Sequence, residues 1–160
     1  MVLLCYDGSA DAQAAIDSCT RLMPGADATV LVIWETLFET MTRTGALGMG
    51  MGTIGAYGGD DLDPSIEKAA LETATDGAQR ATAAGLIARP RTEEMNSGDT
   101  AQVILAVAAS VDADLIALGT RGRSVVKSLM LGSVSSAVVH HADRAVLVVP
   151  SPALVERRRA

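Results

Sequence analysis

Four short apolar runs in this chain carry no polar alternation: Val2 to Tyr6, Thr29 to Trp34, Asp114 to Leu118 and Ala145 to Val149. Strands of that kind are buried on both faces, as in a parallel sheet covered by helices. Between them lie segments of helical period. After the break at Asp7-Gly8-Ser9, residues Ala12, Ala15, Ile16, Cys19 and Met23 share one helix face, and Pro24-Gly25 stops it. Asp63-Pro64 reads as an N-cap with proline at the first helical position, and Ile66, Ala70, Ala74, Ala78 and Ala81 follow as an inner stripe up to Gly85. Asp99 or Thr100 caps a helix with Ile104, Val107, Ala108 and Val111 inward. Gly132-Ser133 opens a last helix whose inner face is Val134, Ala137, Val138 and His141. The charged stretch from Arg89 to Met95 suits an edge strand. This alternation predicts an α/β fold: a parallel sheet, right-handed crossovers, and helices on both faces.

At 160 residues the chain suits one domain over residues 1–150, with residues 151–160 as a tail. Aromatics are only 2%, so the core must be aliphatic. Arg157-Arg158-Arg159 reads as a solvated chain end. The net charge of −6 and pI near 4.8 argue against a nucleic-acid binder working through a broad basic face. No basic stretch leads into an apolar segment, and no apolar run reaches the roughly 18 residues of a membrane span. The expectation is a cytoplasmic protein with neither membrane nor nucleic acid as partner. Cys5 and Cys19 have no metal spacing and read as small apolar residues. His140 and His141, near a helix end, read as structural.

Met41 to Asp60 is a tract of glycine and methionine without a period, read as a long flexible loop on the carboxyl side of the second strand and as a lid over a ligand. Gly50-x-Gly52-x-x-Gly55 inside it matches the dinucleotide fingerprint in letters only, because no strand precedes it and no helix follows directly. A second glycine set has the right context. Gly119-Thr120-Arg121-Gly122 follows a buried strand, and Gly132-Ser133 precedes a helix. A helix N-terminus offers free N–H groups and a positive dipole end to phosphate. From residue 119 to 144 stand Arg121, Arg123, Lys127 and Arg144 against one acid, Asp143, so positive charge gathers there in an acidic chain. No Gly-x4-Gly-Lys-Ser/Thr occurs, so this is not a P-loop.

The spacing Gly119-x2-Gly122-x9-Gly132-Ser133 resembles the signature of the ATP-binding branch of the universal stress protein family. Asp7-Gly8-Ser9, Ser97-Gly98-Asp99 and His140-His141-Ala142 before a closing Val-Leu-Val-Val-Pro support the likeness. Thr100 and Arg144-Ala145 depart from it, standing where many relatives have proline. The resemblance implies an open five-stranded parallel sheet of order 3-2-1-4-5, adenine nucleotide alpha-hydrolase-like, and a homodimer through strand 145–149. It implies that Asp7 contacts the nucleoside, Ile33 the adenine, and Gly119, Gly122, Gly132, Ser133 and Val134 the ribose and phosphates. Arg121 and Arg123 join that set by charge. The ligand implied is ATP, with ADP or AMP as alternatives, and Mg2+ or Mn2+ on the phosphates. A regulatory or stress-response role follows, while slow ATP hydrolysis or a nucleotide-free dimeric module stays open.

Overall fold

The computed structural model describes residues 1–36, 59–95, 99–120 and 131–159, with the backbone alone for 59–63. Five parallel strands, β1 (Val2–Cys5), β2 (Asp27–Trp34), β3 (Ile87–Glu94), β4 (Leu115–Gly119) and β5 (Ala145–Val149), form one sheet of order β3-β2-β1-β4-β5. The expected strand order is therefore observed. Helices α1 (Ala10–Leu22) and α2 (Gly59–Ala83) cover one face, and α3 (Thr100–Ser110) and α4 (Ser133–His141) the other. A further helix, α5 (Pro152–Arg159), follows β5.

Each apolar run divides its side chains between the two faces by the period of two. Val2, Leu4 and Tyr6 pack with Ile16 and Cys19 of α1 and with Ala70, Ala74, Ala78 and Ala81 of α2. Leu3, Leu31, Ile116 and Leu118 pack with Ile104, Val107 and Ala108 of α3 and Val138 of α4. The small residues of α2 let it lie close to the sheet. Gly77 lies deepest: a Cβ there would stand 2.6 Å from Cδ1 of Tyr6, whose hydroxyl donates to Asp76 Oδ2 at 3.1 Å.

The structure moves several expected boundaries. The helix expected to start at Asp63-Pro64 begins at Gly59, inside the tract read as loop, and Pro64 lies within it. Proline's ring holds a helical φ, so it is compatible with a helix start without fixing one. Residues 37–58, which include the rest of that tract with its glycine fingerprint, lie outside the described residues. Strand β3 spans Ile87–Glu94 rather than Arg89 to Met95, at the sheet edge as its charges imply, and β2 begins two residues early at Asp27. Asp99, not Thr100, caps α3, its Oδ1 accepting from Ala101 N at 3.2 Å. His141 is exposed, and Ser135 with Val138 forms the buried side of α4.

The segment read as a tail is helical. Ser151 is buried and its carbonyl accepts from Leu154 and Val155, while Leu154 is 3% exposed on a helix that contacts α1. Arg157, Arg158 and Arg159 are exposed, as expected of them, in its last turn. Leu154→Ala should therefore cost about 2 kcal/mol, the low end for a buried leucine at the periphery of a core. Arg158→Ala should stay within about 0.5 kcal/mol. Denaturant unfolding of both variants checks the contrast, and equal small losses would show α5 to be undocked.

Candidate functional site

The carboxyl ends of β1 and β4 open into a cleft. Past Cys5 the chain stays with β2, since Tyr6 N donates to Leu31 O at 2.8 Å. Past Gly119 it stays with β5, since Thr120 N donates to Val149 O at 2.9 Å. The two middle strands thus part where the strand order reverses, the place where open α/β sheets hold ligands. A cavity of about 230 Å³ occupies the gap. Its inner wall is apolar, with Leu31, Ile33, Ile104 and Leu118, and its mouth is polar, with Asp7, Gly119, Gly132 and Ser133. Of the residues singled out in the sequence, Asp7, Ile33, Gly119, Gly132, Ser133 and Val134 line this one cavity. Arg121, Gly122 and Arg123 lie outside the described residues, as do Ser97 and Gly98.

Asp7 is held by its own turn. Its Oδ1 accepts from Ser9 N at 3.0 Å across Gly8, whose φ of +81° favours glycine, and Ser9 Oγ then caps α1 by accepting from Ala12 N at 3.2 Å. The start of α4 is arranged differently. Its N-cap is Gly132, which has no side chain to cap with. The N–H of Gly132 itself donates to Thr120 O at 2.8 Å, so it is not free for a ligand, contrary to the expectation for that residue. The amides of Ser133, Val134 and Ser135, in the first turn, carry no side-chain cap and lie at the cavity wall.

Thr120 ties these parts together. It is buried, its hydroxyl donates to Asp11 Oδ2, and its carbonyl also lies 2.9 Å from Ser135 Oγ. Gly119 has a packing reason to be glycine as well as its place in the cavity wall: an added Cβ would stand 2.6 Å from Asp11 Cβ and 2.8 Å from Asp11 C. The first turn of α1 presses directly on the end of β4.

With this geometry in place, the likeness to known proteins is informative. Residues 1–150 match the universal stress protein family. The chain belongs to that family. A Thermus aquaticus relative, described as universal stress protein in QAH/OAS sulfhydrylase 3′ region, is 34% identical over 151 residues, covering 92% of this chain and 96% of its own. The solved universal stress protein of Archaeoglobus fulgidus in complex with dAMP has a TM-score of 0.60 at 19% identity, over 92% of this chain and 95% of that one. A universal stress protein in complex with cAMP has a TM-score of 0.55 at 20% identity, over 94% and 95%.

Two features of this universal stress protein depart from the sequence reading. Arg144, counted toward the positive charge around the glycine motif, lies before the amino end of β5, away from the cleft. Its Nη1 donates to Ala108 O at 2.9 Å in the last turn of α3 and to Ala113 O at 2.8 Å in the connection to β4, and its Nε donates to Asp143 Oδ1 at 2.7 Å. Asp143 holds the Arg144 guanidinium above its ordinary pKa, and Arg144 holds the Asp143 carboxyl below its own. The cavity also takes in Cys5, Tyr6, Thr100, Ile104 and Ser135, none of them expected there. The signal for Thr100 and Ile104 was available, since a helix starting at Thr100 puts both on one face.

Burial first, and the charge of Asp7 second, pushes the Cys5 thiol from 9.0 up to about 12; burial pushes Cys19 to about 11. Above pH 9 the unfolded chain releases these protons while the folded chain keeps them, so their stabilising effect is complete below pH 9 and fades toward pH 12. At pH 8 the thiolate population of Cys5 is roughly a thousandfold below that of a free thiol. Iodoacetamide at pH 8 should leave Cys5 and Cys19 unlabelled in native protein and label both in guanidinium. Cys5 is half-buried at the cavity wall, so its protection rests on the suppressed thiolate, and rapid native labelling of it would contradict that suppression.

Proposed function

We propose that this universal stress protein binds an adenine nucleotide in the cleft between β1 and β4 and acts as a nucleotide-dependent regulatory protein of the stress response. The observation that carries the reading is the meeting of an apolar cavity with the uncapped start of α4 at the sheet's reversal point. An aromatic base gains from the apolar wall of Leu31, Ile33, Ile104 and Leu118. Phosphates gain from the amides of Ser133, Val134 and Ser135 and the positive end of the α4 dipole. The relatives solved with dAMP and cAMP support an adenine ligand.

ATP is the nucleotide we assign, with Gly122, Arg121 and Arg123 completing the phosphate site on the strength of the sequence. Among the described residues no cluster of His, Cys, Asp or Glu could hold a metal ion, so Mg2+ or Mn2+ would arrive on the phosphates. Strand β5 is a sheet edge with Val146, Leu147 and Val148 half-buried, which supports a homodimer through residues 145–149. No helix among the described residues is long and apolar enough to cross a membrane; the cytoplasmic location we propose rests on the sequence reading.

Mass spectrometry of ligand released from freshly purified protein, then calorimetry with ATP, ADP, AMP and cAMP, tests the reading. Turnover faster than about one per second would make the protein an enzyme instead. Ser133→Asp separates ligand binding from folding. A carboxylate at the first turn of a helix is favourable by about 0.3–1 kcal/mol, so thermal stability should hold or rise. The same charge repels phosphate, so ATP affinity should fall at least tenfold. Unchanged ATP affinity in that variant would overturn the phosphate assignment.

A further inference from the structure

We infer that Thr100 is a specificity-determining residue of this cleft, its hydroxyl hydrogen-bonding the polar edge of the bound base; the inference rests on the nucleotide reading above. Thr100 is the first residue of α3 and lines the cavity together with Ile104, one turn further along the same helix face. Of the other polar side chains at the cavity, Tyr6, Asp7 and Ser135 have structural partners, the Tyr6 hydroxyl donating to Asp76 Oδ2. Asp7 accepts from Ser9 N, and Ser135 lies 2.9 Å from Thr120 O and 3.1 Å from Gly132 O. Ser133 belongs to the first turn of α4, where phosphate is expected. Thr100 is placed otherwise, one turn from Ile104 of the apolar wall.

Its hydroxyl is not needed to start the helix. Asp99 already caps α3 through Ala101 N. Among the described residues the Thr100 hydroxyl makes one hydrogen bond, to the Met95 sulfur at 3.5 Å. A thioether is a weak acceptor. A ring nitrogen or exocyclic acceptor of a base is a stronger partner, so redirecting the hydroxyl's hydrogen bond from the sulfur to the base is favourable. The hydroxyl oxygen also accepts, so it can meet a donor edge as readily as an acceptor edge. A polar group in an otherwise apolar wall orients a ligand and discriminates against bodies of the same shape that leave it unpaired.

The test compares ATP binding by calorimetry to wild type, Thr100→Val and Thr100→Ser, with melting curves alongside. Valine keeps the shape and removes the hydroxyl, so affinity should fall about fivefold at near-constant stability. Serine keeps the hydroxyl and should bind within about twofold of wild type. Thr100→Val binding as tightly as wild type, or Thr100→Ser binding as weakly as Thr100→Val, overturns the inference while the nucleotide reading stands. A crystal structure of the ATP complex with Thr100 Oγ1 beyond hydrogen-bond reach, about 3.2 Å, of every base atom overturns it equally. Wild-type protein that binds no nucleotide removes the parent reading and this one together.

Discussion

The pairing of β1 with β4 stops at Leu4 and Ala117, and the site exists because it stops there. β1 pairs with β2 through Cys5↔Leu31, and Tyr6 N still donates to Leu31 O; β4 pairs with β5 through Gly119↔Val149, and Thr120 N still donates to Val149 O. Each middle strand follows its outer neighbour. Because sheets twist, the residues beyond the shared ladder diverge and leave a crevice that neither strand can fill. Both core clusters end below it, so its floor is inherited from ordinary packing: Leu31, Leu118 and Ile104 are core residues that also form cavity wall.

One face of that crevice is closed off and the other left open. The first turn of α1 lies against Gly119 with no room for a Cβ, and Asp11 accepts from the Thr120 hydroxyl. Thr120 in turn receives Gly132 N and the Ser135 hydroxyl on its carbonyl. A buried threonine with every polar group partnered is costly to disturb, since each orphaned group would carry a desolvation penalty of about 1–3 kcal/mol. The network thereby fixes where α4 begins relative to the end of β4. Preorganisation of this sort spares a ligand the cost of ordering its own binding groups.

The parallel sheet was legible because its inner strands are apolar runs without alternation, whereas its strand order and the meeting of Asp7, Ile33, Gly119, Gly132, Ser133 and Val134 were legible through the family resemblance carried by the glycine spacing. What was not legible depended on approach distances that a sequence does not carry. Gly119 looked like a glycine reserved for a ligand; it does line the cavity, and it also leaves room for Asp11. Gly77, which the inner stripe of its helix did not single out, accommodates the Tyr6 ring. Gly132 looked like an amide donor and spends its N–H on Thr120. Arginine counting failed at Arg144 for the same reason: nearness in sequence to Gly132 says nothing about which end of the sheet a guanidinium reaches. The short helix α5 escaped notice because its period is carried by a single buried residue, Leu154.

On the proposed reading, the loss of Arg144 from the site changes what would attract a nucleotide to this acidic chain. Among the described residues the attraction comes from fixed partial charges: three uncapped amides at the start of α4 and the aligned peptides behind them. Mobile side-chain charges on a surface are screened beyond about 10 Å at ordinary salt, whereas amides touching the ligand in a partly enclosed cleft act at contact range. A chain carrying −6 can hold a polyanion on such terms, because the long-range repulsion is screened while the short-range contacts are not. The same logic makes the position of the helix start, rather than the count of basic residues, the quantity that selection would have to protect. Thr120, buried between α1, β5 and α4, is where that position is set.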